Sequence, residues 1–470
     1  MMSQLPESFL RQTESLLGAA QTRALAEALA AEPPVSVRLN LLKGAGEPEG
    51  CMPVPWCSAG RYLPERPSFT FDPFFHAGYY YVQEAASMFV EQAFRVMEEV
   101  PRRVLDLCAA PGGKSTLWRT LLPEGSLLVC NEPVRRRFEI LAENMSKWGH
   151  PDVVVTNAFP VEFASLSGFF DVVAADVPCS GEGMFRKDHG AIGEWSAGSV
   201  EMCAARQMQI IRDVWPALRE GGWLVYSTCT FNRAENEDNI RRICCELGAE
   251  TVPVPVVPEW GVTGDVTGSG LSVARFLPHR TRSEGFFLAL LRKTAPAAAC
   301  KEKKKRRSDR EPSPQGSAVA GGWLRRPEEF VLYAPQDGQV AAVRRSLAED
   351  VRRLQKTARC LVAGIPLAGL KGRKLVPRHE LALSIELAPG AFPVVELSRE
   401  EAVAYLRQEA FPLSPDVPRG YVVAAYRGAR LGFFNNLGTR ANNLYPAEWR
   451  IRSRADRYRD LSENIQTSES

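Results

Sequence analysis

The sequence predicts an α/β protein built on a doubly wound, mostly parallel sheet, and three observations lead there. Between roughly residues 100 and 295, short apolar runs recur at 104–107, 127–130, 153–155, 172–175 and 223–226, each reading as a buried strand. Segments of helical periodicity, such as 134–148 and 202–218, separate most of them. The first strand runs into a turn of small residues, Cys108-Ala109-Ala110-Pro111-Gly112-Gly113-Lys114, with a helix expected from Ser115. Such alternation implies helices on both faces of the sheet and a ligand at the carboxyl ends of its strands.

The elements around this domain read as follows. Residues 1–95 open with an amphipathic helical pattern (Phe9, Leu10, Leu16, Leu17, then 25–29), followed by a strand-like stretch at 35–43 and an aromatic stretch at 69–81. The α/β domain is assigned to 96–296. Residues 297–320 read as a basic linker, because Lys301-Glu302-Lys303-Lys304-Lys305-Arg306-Arg307 leads into a hydrophobe-poor segment with two prolines. That segment is either a solvated tether or an arm that contacts phosphates. A second globular region follows, divided at 321–390 and 391–470, with a hairpin-like pattern at 420–428 and a basic, aromatic tail.

At 470 residues the chain is long enough for two to four domains, and 45% hydrophobic with 24% charged residues is the balance of a soluble globular protein. A formal net charge of only +3 means that any nucleic-acid surface is a local basic patch. No secretory signal is expected at the start and no apolar stretch is long enough for a membrane span. Eleven scattered cysteines, with no C-x-x-C pair, argue against a disulfide framework and against zinc, and point to the reducing cytoplasm. No metal is expected.

The turn after the first strand lets a backbone approach a nucleotide-like ligand closely. A P-loop would need glycine where Cys108 stands, and the dinucleotide fingerprint G-x-G-x-x-G is absent. The second strand ends in Asn131-Glu132, the distance at which an acid grips ribose hydroxyls. An adenosine ligand without a phosphate chain fits both facts; a purely structural turn is the alternative.

The fourth strand delivers Asp176-Val177-Pro178-Cys179-Ser180-Gly181 to its carboxyl end, and the fifth delivers Thr228-Cys229-Thr230. Asp176, Cys179 and Cys229 should therefore converge near the cofactor, although either thiol alone could be a small core residue. The pattern suits one chemistry. Carbon 5 of cytosine is a weak nucleophile; a thiolate adding at carbon 6 turns the ring into an enamine whose carbon 5 can take a methyl group. An acid beside ring nitrogen 3 and the exocyclic amine, a task suited to Asp176, would stabilise the adduct. A base must then remove the carbon-5 proton, and the target must first swing out of its stack.

With these residues assembled, the chain resembles the Nol1/Nop2/Sun family of RNA cytosine-5 methyltransferases. The matching motifs are 105–114, 176–181 and Ser227-Thr228-Cys229, in the family's order and spacing. The resemblance implies a Rossmann-like class I methyltransferase core with a seven-stranded sheet and S-adenosyl-L-methionine as cofactor. It places Cys108, Ala109, Ala110, Pro111, Gly112, Gly113, Lys114, Glu132 and Asp176 at the cofactor or its pocket. Cys229 is implied as the nucleophile, Cys179 as the thiol that assists release of methylated RNA, and Lys114 as a residue that also reaches the catalytic pocket. Arg38-Leu39-Asn40 and Tyr80-Tyr81-Val82-Gln83-Glu84 are similar to the family's α+β amino-terminal domain. Residues 432–450 are similar to the PUA-like RNA-binding end of the bacterial branch that modifies small-subunit 16S ribosomal RNA (RsmF-like). Residues from about 320 onward are expected to add RNA affinity, through Arg427, Arg430, Arg440, Arg450 and Arg452 beside aromatics. Two departures stand out. Val177 occupies a position where alanine is usual, and the run Thr156-Asn157-Ala158-Phe159 lacks the acid that many relatives offer to adenine, leaving Asn157 as its substitute. The expected protein is a cytoplasmic monomer; transfer RNA is the rival substrate, and a non-catalytic ribosome assembly factor the rival function.

Overall fold

The computed structural model describes residues 5–296, 314–372 and 374–453. Most of the expected basic linker and the last part of the tail lie outside the described residues.

Two helices, α1 (Glu7–Leu17) and α2 (Ala19–Leu29), are separated by Gly18, which takes a φ of +81°. Strands β1 (Ser36–Leu39), β2 (Met52–Val54), β3 (Cys57–Tyr62) and, after the short α3 (Pro73–His76), β4 (Tyr80–Val82) form an antiparallel sheet in the order β2-β3-β1-β4. The strand expected over 35–43 stops at Leu39. Asn40, fully buried, accepts from Leu42 N at 3.2 Å and donates to Gly78 O and Trp148 O at 2.8 and 3.1 Å. That side chain turns the backbone out of the sheet into the short helical turn Leu41–Lys43. Helix α4 (Val90–Arg95) leads into the next domain.

The central domain runs β5 (Arg103–Asp106), α5 (Gly113–Leu121), β6 (Leu127–Asn131), α6 (Arg135–Trp148), β7 (Val153–Thr156) and β8 (Phe170–Asp176). It continues with α7 (His189–Glu194), α8 (Ala197–Val214), β9 (Leu218–Thr228), α9 (Glu237–Leu247), β10 (Ala249–Val252), β11 (Ala274–Phe276) and β12 (Phe286–Lys293). All five strands expected from the apolar runs are present and parallel. With β12 antiparallel to β9 and β10 beyond it, the order is β7-β6-β5-β8-β9-β12-β10, the seven-stranded class I arrangement. The strand order reverses between β5 and β8, so a crevice opens at their carboxyl ends. Helix α8 ends four residues before 218 because Pro216 cannot continue it.

Beyond the linker come α10 (Ser317–Gly321), β13 (Phe330–Tyr333), β14 (Gln339–Arg344), α11 (Ala348–Thr357), β15 (Cys360–Ala363), β16 (Ile365–Lys371), β17 (Lys374–Pro377) and α12 (His379–Leu383). Strands β13, β14, β16 and β17 make their own antiparallel sheet, but β15 pairs antiparallel with β7, Cys360 opposite Thr156. With β11, it enlarges the central sheet to nine strands. The ion pairs Arg344–Asp152 (2.8 Å) and Arg103–Asp350 (2.9 Å) fasten the same junction.

The last region contains β18 (Val394–Glu396), α13 (Arg399–Leu406), β19 (Gly420–Tyr426), β20 (Ala429–Asn436) and β21 (Ala441–Asn443). The hairpin of β19 and β20 turns on Arg427 and Gly428, both at positive φ (46° and 75°), as a two-residue turn between twisted strands requires. Its apolar face does not stand alone. Val422, Phe434 and Tyr445 share one core with Val37, Phe74 and Tyr80, and the Phe74 and Tyr426 rings meet edge to face at 5.6 Å. The aromatic stretch near residue 75 is thus the seam between the first and last parts of the chain.

Candidate active site

The cofactor loop is held from both sides. Gly112, at φ +118°, ends the turn and α5 begins at Gly113, two residues before the expected start. A Cβ on Gly113 would sit 3.3 Å from the Tyr81 ring, so β4 crosses directly over the turn. Arg38, fully buried, reaches the same place from β1. Its Nε donates to Gln83 Oε1 at 2.8 Å, and its Nη2 donates to Gly113 O at 3.2 Å and to Thr116 Oγ1. Burial lowers the Arg38 guanidinium to about 10, still charged at neutral pH.

Between the loop and β4 lies a cavity of about 170 Å³. Cys108, Ala109, Ala110, Pro111, Gly113, Lys114 and Asp176 line it; Gly112, Glu132 and Asn157 do not. Sequence reasoning missed Asp106, Tyr81, Gln83, Glu84 and Ser87, which also line it. The motif Tyr80-Tyr81-Val82-Gln83-Glu84 had been visible, but not that its domain folds over the loop. Asp106 accepts from Ser115 Oγ at 2.6 Å, and burial pushes its carboxyl up to about 7. Burial likewise raises the Cys108 thiol, which leaves it a wall rather than a nucleophile.

Glu132 follows β6 directly and is almost fully buried; its Oε1 accepts from Val134 N at 2.9 Å, and Arg137 stands 3.4 Å from Oε2. Asn157 spends both amide hydrogens on Glu132 O and Pro133 O (2.8 and 2.9 Å), which leaves its oxygen as the remaining acceptor.

Asp176 and the two cysteines do come together. Lys114 Nζ donates to Asp176 Oδ2 at 2.8 Å and Ser227 Oγ to Oδ1 at 2.8 Å. Burial alone would lower the Lys114 ammonium, but the charge and hydrogen bond of Asp176, then Asp106 and Cys229, raise it overall. Cys179 Sγ lies 3.0 Å from Cys229 Sγ. The hydrogen bond to Cys229, then burial, holds the Cys179 thiol well above the ordinary cysteine range. Val177 is buried and donates its N–H to Ser227 O at 3.1 Å, so the larger side chain is absorbed by the core.

Two buried carboxylates fix the cysteine loops, and neither was singled out from the sequence. Glu235 accepts from Ser180 N (3.0 Å), Ser180 Oγ, Gln207 Nε2 (2.7 Å) and Asn232 Nδ2 (2.6 Å). Glu182 accepts from Thr230 Oγ1, Phe231 N and Asn232 N (2.6 to 2.9 Å) with one oxygen. Its other oxygen accepts from Trp195 Nε1, Asn232 Nδ2 and Gln12 Nε2 of α1 (3.1 to 3.2 Å). Gly183 N donates to Cys229 O at 2.8 Å, an approach no side chain would permit. Among the described residues no cluster of three or more His, Cys, Asp or Glu side chains could hold a metal ion, and no helix is long and apolar enough to cross a membrane.

Comparison with known proteins agrees with this architecture part by part. Residues 96–292 match the family model for the 16S rRNA methyltransferases RsmB/F. Residues 5–85 match the N-terminal domain of 16S rRNA methyltransferase RsmF, and 392–451 the methyltransferase RsmF PUA domain. The chain is 32% identical over 417 residues to ribosomal RNA small subunit methyltransferase F of Shigella boydii, and 30% identical over 421 residues to that of Erwinia tasmaniensis; each alignment covers 84% of both chains. Among solved structures, a methyltransferase homologue from Pyrococcus horikoshii aligns with a TM-score of 0.52 at 26% identity, covering 61% of this chain and 95% of that one. NSun6 from the same organism aligns with a TM-score of 0.52 at 20% identity, over 63% of this chain and all of that one, and shares the fold. The small-residue loop, the Cβ-free crossing at Gly113 and the buried acid at Asp106 suit S-adenosyl-L-methionine, the cofactor of this enzyme class. This chain belongs to the RsmB/F family of S-adenosylmethionine-dependent RNA methyltransferases, in its RsmF branch.

Proposed function

We propose that the protein methylates carbon 5 of a cytosine in 16S ribosomal RNA, through a covalent bond from Cys229 to carbon 6. The observation that carries the reading is the 3.0 Å contact of two thiols that follow the carboxyl ends of neighbouring strands, with the Cys179 thiol pushed up by that contact and by burial. One sulfur can attack while the other, beside it, can donate or take up a proton. S-adenosyl-L-methionine would be held by the 108–114 loop, Asp106 and Glu132, and would supply an electrophilic methyl group on a sulfonium.

The chain's own residues do the remaining work. Cys229 adds to carbon 6 as a thiolate, and the electron pair displaced toward nitrogen 3 is met there by a proton passed from the Lys114 ammonium through Asp176, which also accepts from the exocyclic amine. The adduct leaves carbon 5 nucleophilic toward the methyl donor. Loss of the carbon-5 proton to a base then restores the double bond and expels Cys229; Cys179, next to the leaving sulfur, assists that step. Glu132, just past β6, is the acid assigned to the ribose hydroxyls, and Asn157 Oδ1 the acceptor assigned to the adenine amine. The PUA domain and its arginines supply RNA affinity. Arg427, Arg440, Arg450 and Arg452 are exposed, while Arg430 is half-buried.

The test is product identity. 16S rRNA or small subunits from a strain lacking the gene are incubated with the protein and methyl-labelled cofactor, digested and resolved as nucleosides. The label should run as 5-methylcytidine; label in any other nucleoside would refute the reading.

A further inference from the structure

Away from the cysteines, a crevice of about 760 Å³ opens where three parts of the chain meet. Lys43 comes from the turn after β1, Glu124 and His150 from the loops that enter β6 and β7, and Arg325, Glu386 and Arg430 from beyond the linker. Loops entering β6 and β7 lie at the amino ends of the parallel strands, whereas Cys179 and Cys229 follow the carboxyl ends of β8 and β9. The two sites are therefore at opposite edges of the sheet, at least about 17 Å apart for a five-residue strand at 3.3 Å per residue.

The charges in the crevice do not balance locally. Its carboxylates are already engaged: Arg326 pairs with Glu124 and, at 2.6 Å, with Glu386, and Arg344 reaches Glu124 as well. Lys43, Arg325 and Arg430 pair with no carboxylate among the described residues. Lys43 Nζ donates to Ala77 O and Lys147 O at 2.6 Å each, and Arg430 Nη2 donates to Ser384 O at 2.7 Å. These carbonyls aim the cations without neutralising them. The three also oppose one another. Burial, then Arg430, holds the Lys43 ammonium well below the ordinary lysine range. Burial lowers Arg430, with Tyr79 opposing and Arg325 adding to the fall. Like charges gathered this way cost free energy that a bound anion recovers. Gly149, φ +83°, packs closely against two lining residues: an added Cβ would collide with Leu383 O and stand 3.0 Å from Lys43 Cε.

We propose that Lys43, Arg325 and Arg430 form a composite phosphate site that grips the RNA backbone at a point remote from the methylated base. This rests on RNA being the substrate, and deepens that reading by requiring an RNA long enough to span from one edge of the sheet to the other. A phosphodiester brings the missing negative charge, and Arg fork and Lys point charge are the usual partners of its oxygens.

The experiment is the salt dependence of RNA affinity for the full chain, Arg325→Gln and Arg430→Gln. Arg325 is exposed, so its replacement does not endanger the fold. With a long 16S rRNA fragment around the target, each variant should bind several-fold more weakly at low salt. The slope of log affinity against log salt should fall by roughly 0.7 to 0.9 per lost phosphate contact. A trinucleotide carrying the target base should bind wild type and variants alike, and inorganic phosphate should compete with the long fragment only for wild type. Unchanged affinity and slope in both variants would overturn the proposal. So would binding of inorganic phosphate with no change in RNA slope, which would make the crevice a free-anion site. Neither result depends on which base atom is methylated, so failure here is distinct from failure of the carbon-5 assignment.

Discussion

Lys114 Nζ stands 2.8 Å from Asp176 Oδ2, and that ion pair joins the helix after the cofactor loop to the motif that precedes Cys179. In the proposed mechanism this charge balance lets Asp176 face the cytosine ring while staying beside the cofactor. Because the Lys114 ammonium is held above its ordinary value, the pair is intact at neutral pH and is lost only as pH rises beyond the usual lysine range. Lys114→Gln should lower the single-turnover rate of methyl transfer about 10²- to 10³-fold, the scale of losing one charge-stabilising donor. A rate within a few-fold of wild type would remove Lys114 from the chemistry.

Asp106 gives a proton signature. Burial raises its carboxyl to about 7, so its contribution to stability is full below about 4 and is lost as pH rises toward 7. Asp106→Asn should flatten that fall between pH 4 and 7 in denaturant unfolding. A cationic cofactor beside Asp106 favours the ionised form and should therefore release on the order of half a proton at pH 7. Calorimetric titration in two buffers of different ionisation enthalpy measures this. Wild type should show the release and Asp106→Asn should not; buffer-independent heats for wild type would contradict it.

Gly183 tests how tightly the cysteine loops are packed. A Cβ there would lie 2.7 Å from Cys229 O and 2.8 Å from Gly285 O, both backbone atoms that cannot swing away. Gly183→Ala should cost about 1 to 3 kcal/mol in unfolding free energy and slow methyl transfer by shifting Cys229. A fully stable, fully active variant would mean that the loop yields freely.

Much of this was legible in the sequence because its signals are local. Five apolar runs at the right spacing gave the parallel strands, and 176–181 with 227–229 gave the convergence of Asp176, Cys179 and Cys229, since strand ends share one edge of the sheet. What escaped depends on contacts between distant segments. Nothing in Cys360–Ala363 announces that it extends the sheet beside β7, because an edge strand is recruited by the edge it meets. Arg38 and Gln83 serve the cofactor loop only because the first domain folds across it. Asn40 ends its strand through carbonyls 38 and 108 residues away. Glu182 and Glu235 carry no local signal, and only the fold buries them among neutral donors.

The measurement that bears most directly on the central claim is a covalent-trapping gel. Cys229→Ala, Cys179→Ala and the double variant are each incubated with substrate RNA and cofactor, then denatured and resolved. If Cys229 attacks and Cys179 assists release, Cys179→Ala should accumulate a slow protein–RNA band containing methylated base. Cys229→Ala and the double variant should give neither band nor product. A band from Cys229→Ala instead would make Cys179 the nucleophile, and undiminished product from both single variants would contradict the covalent mechanism itself.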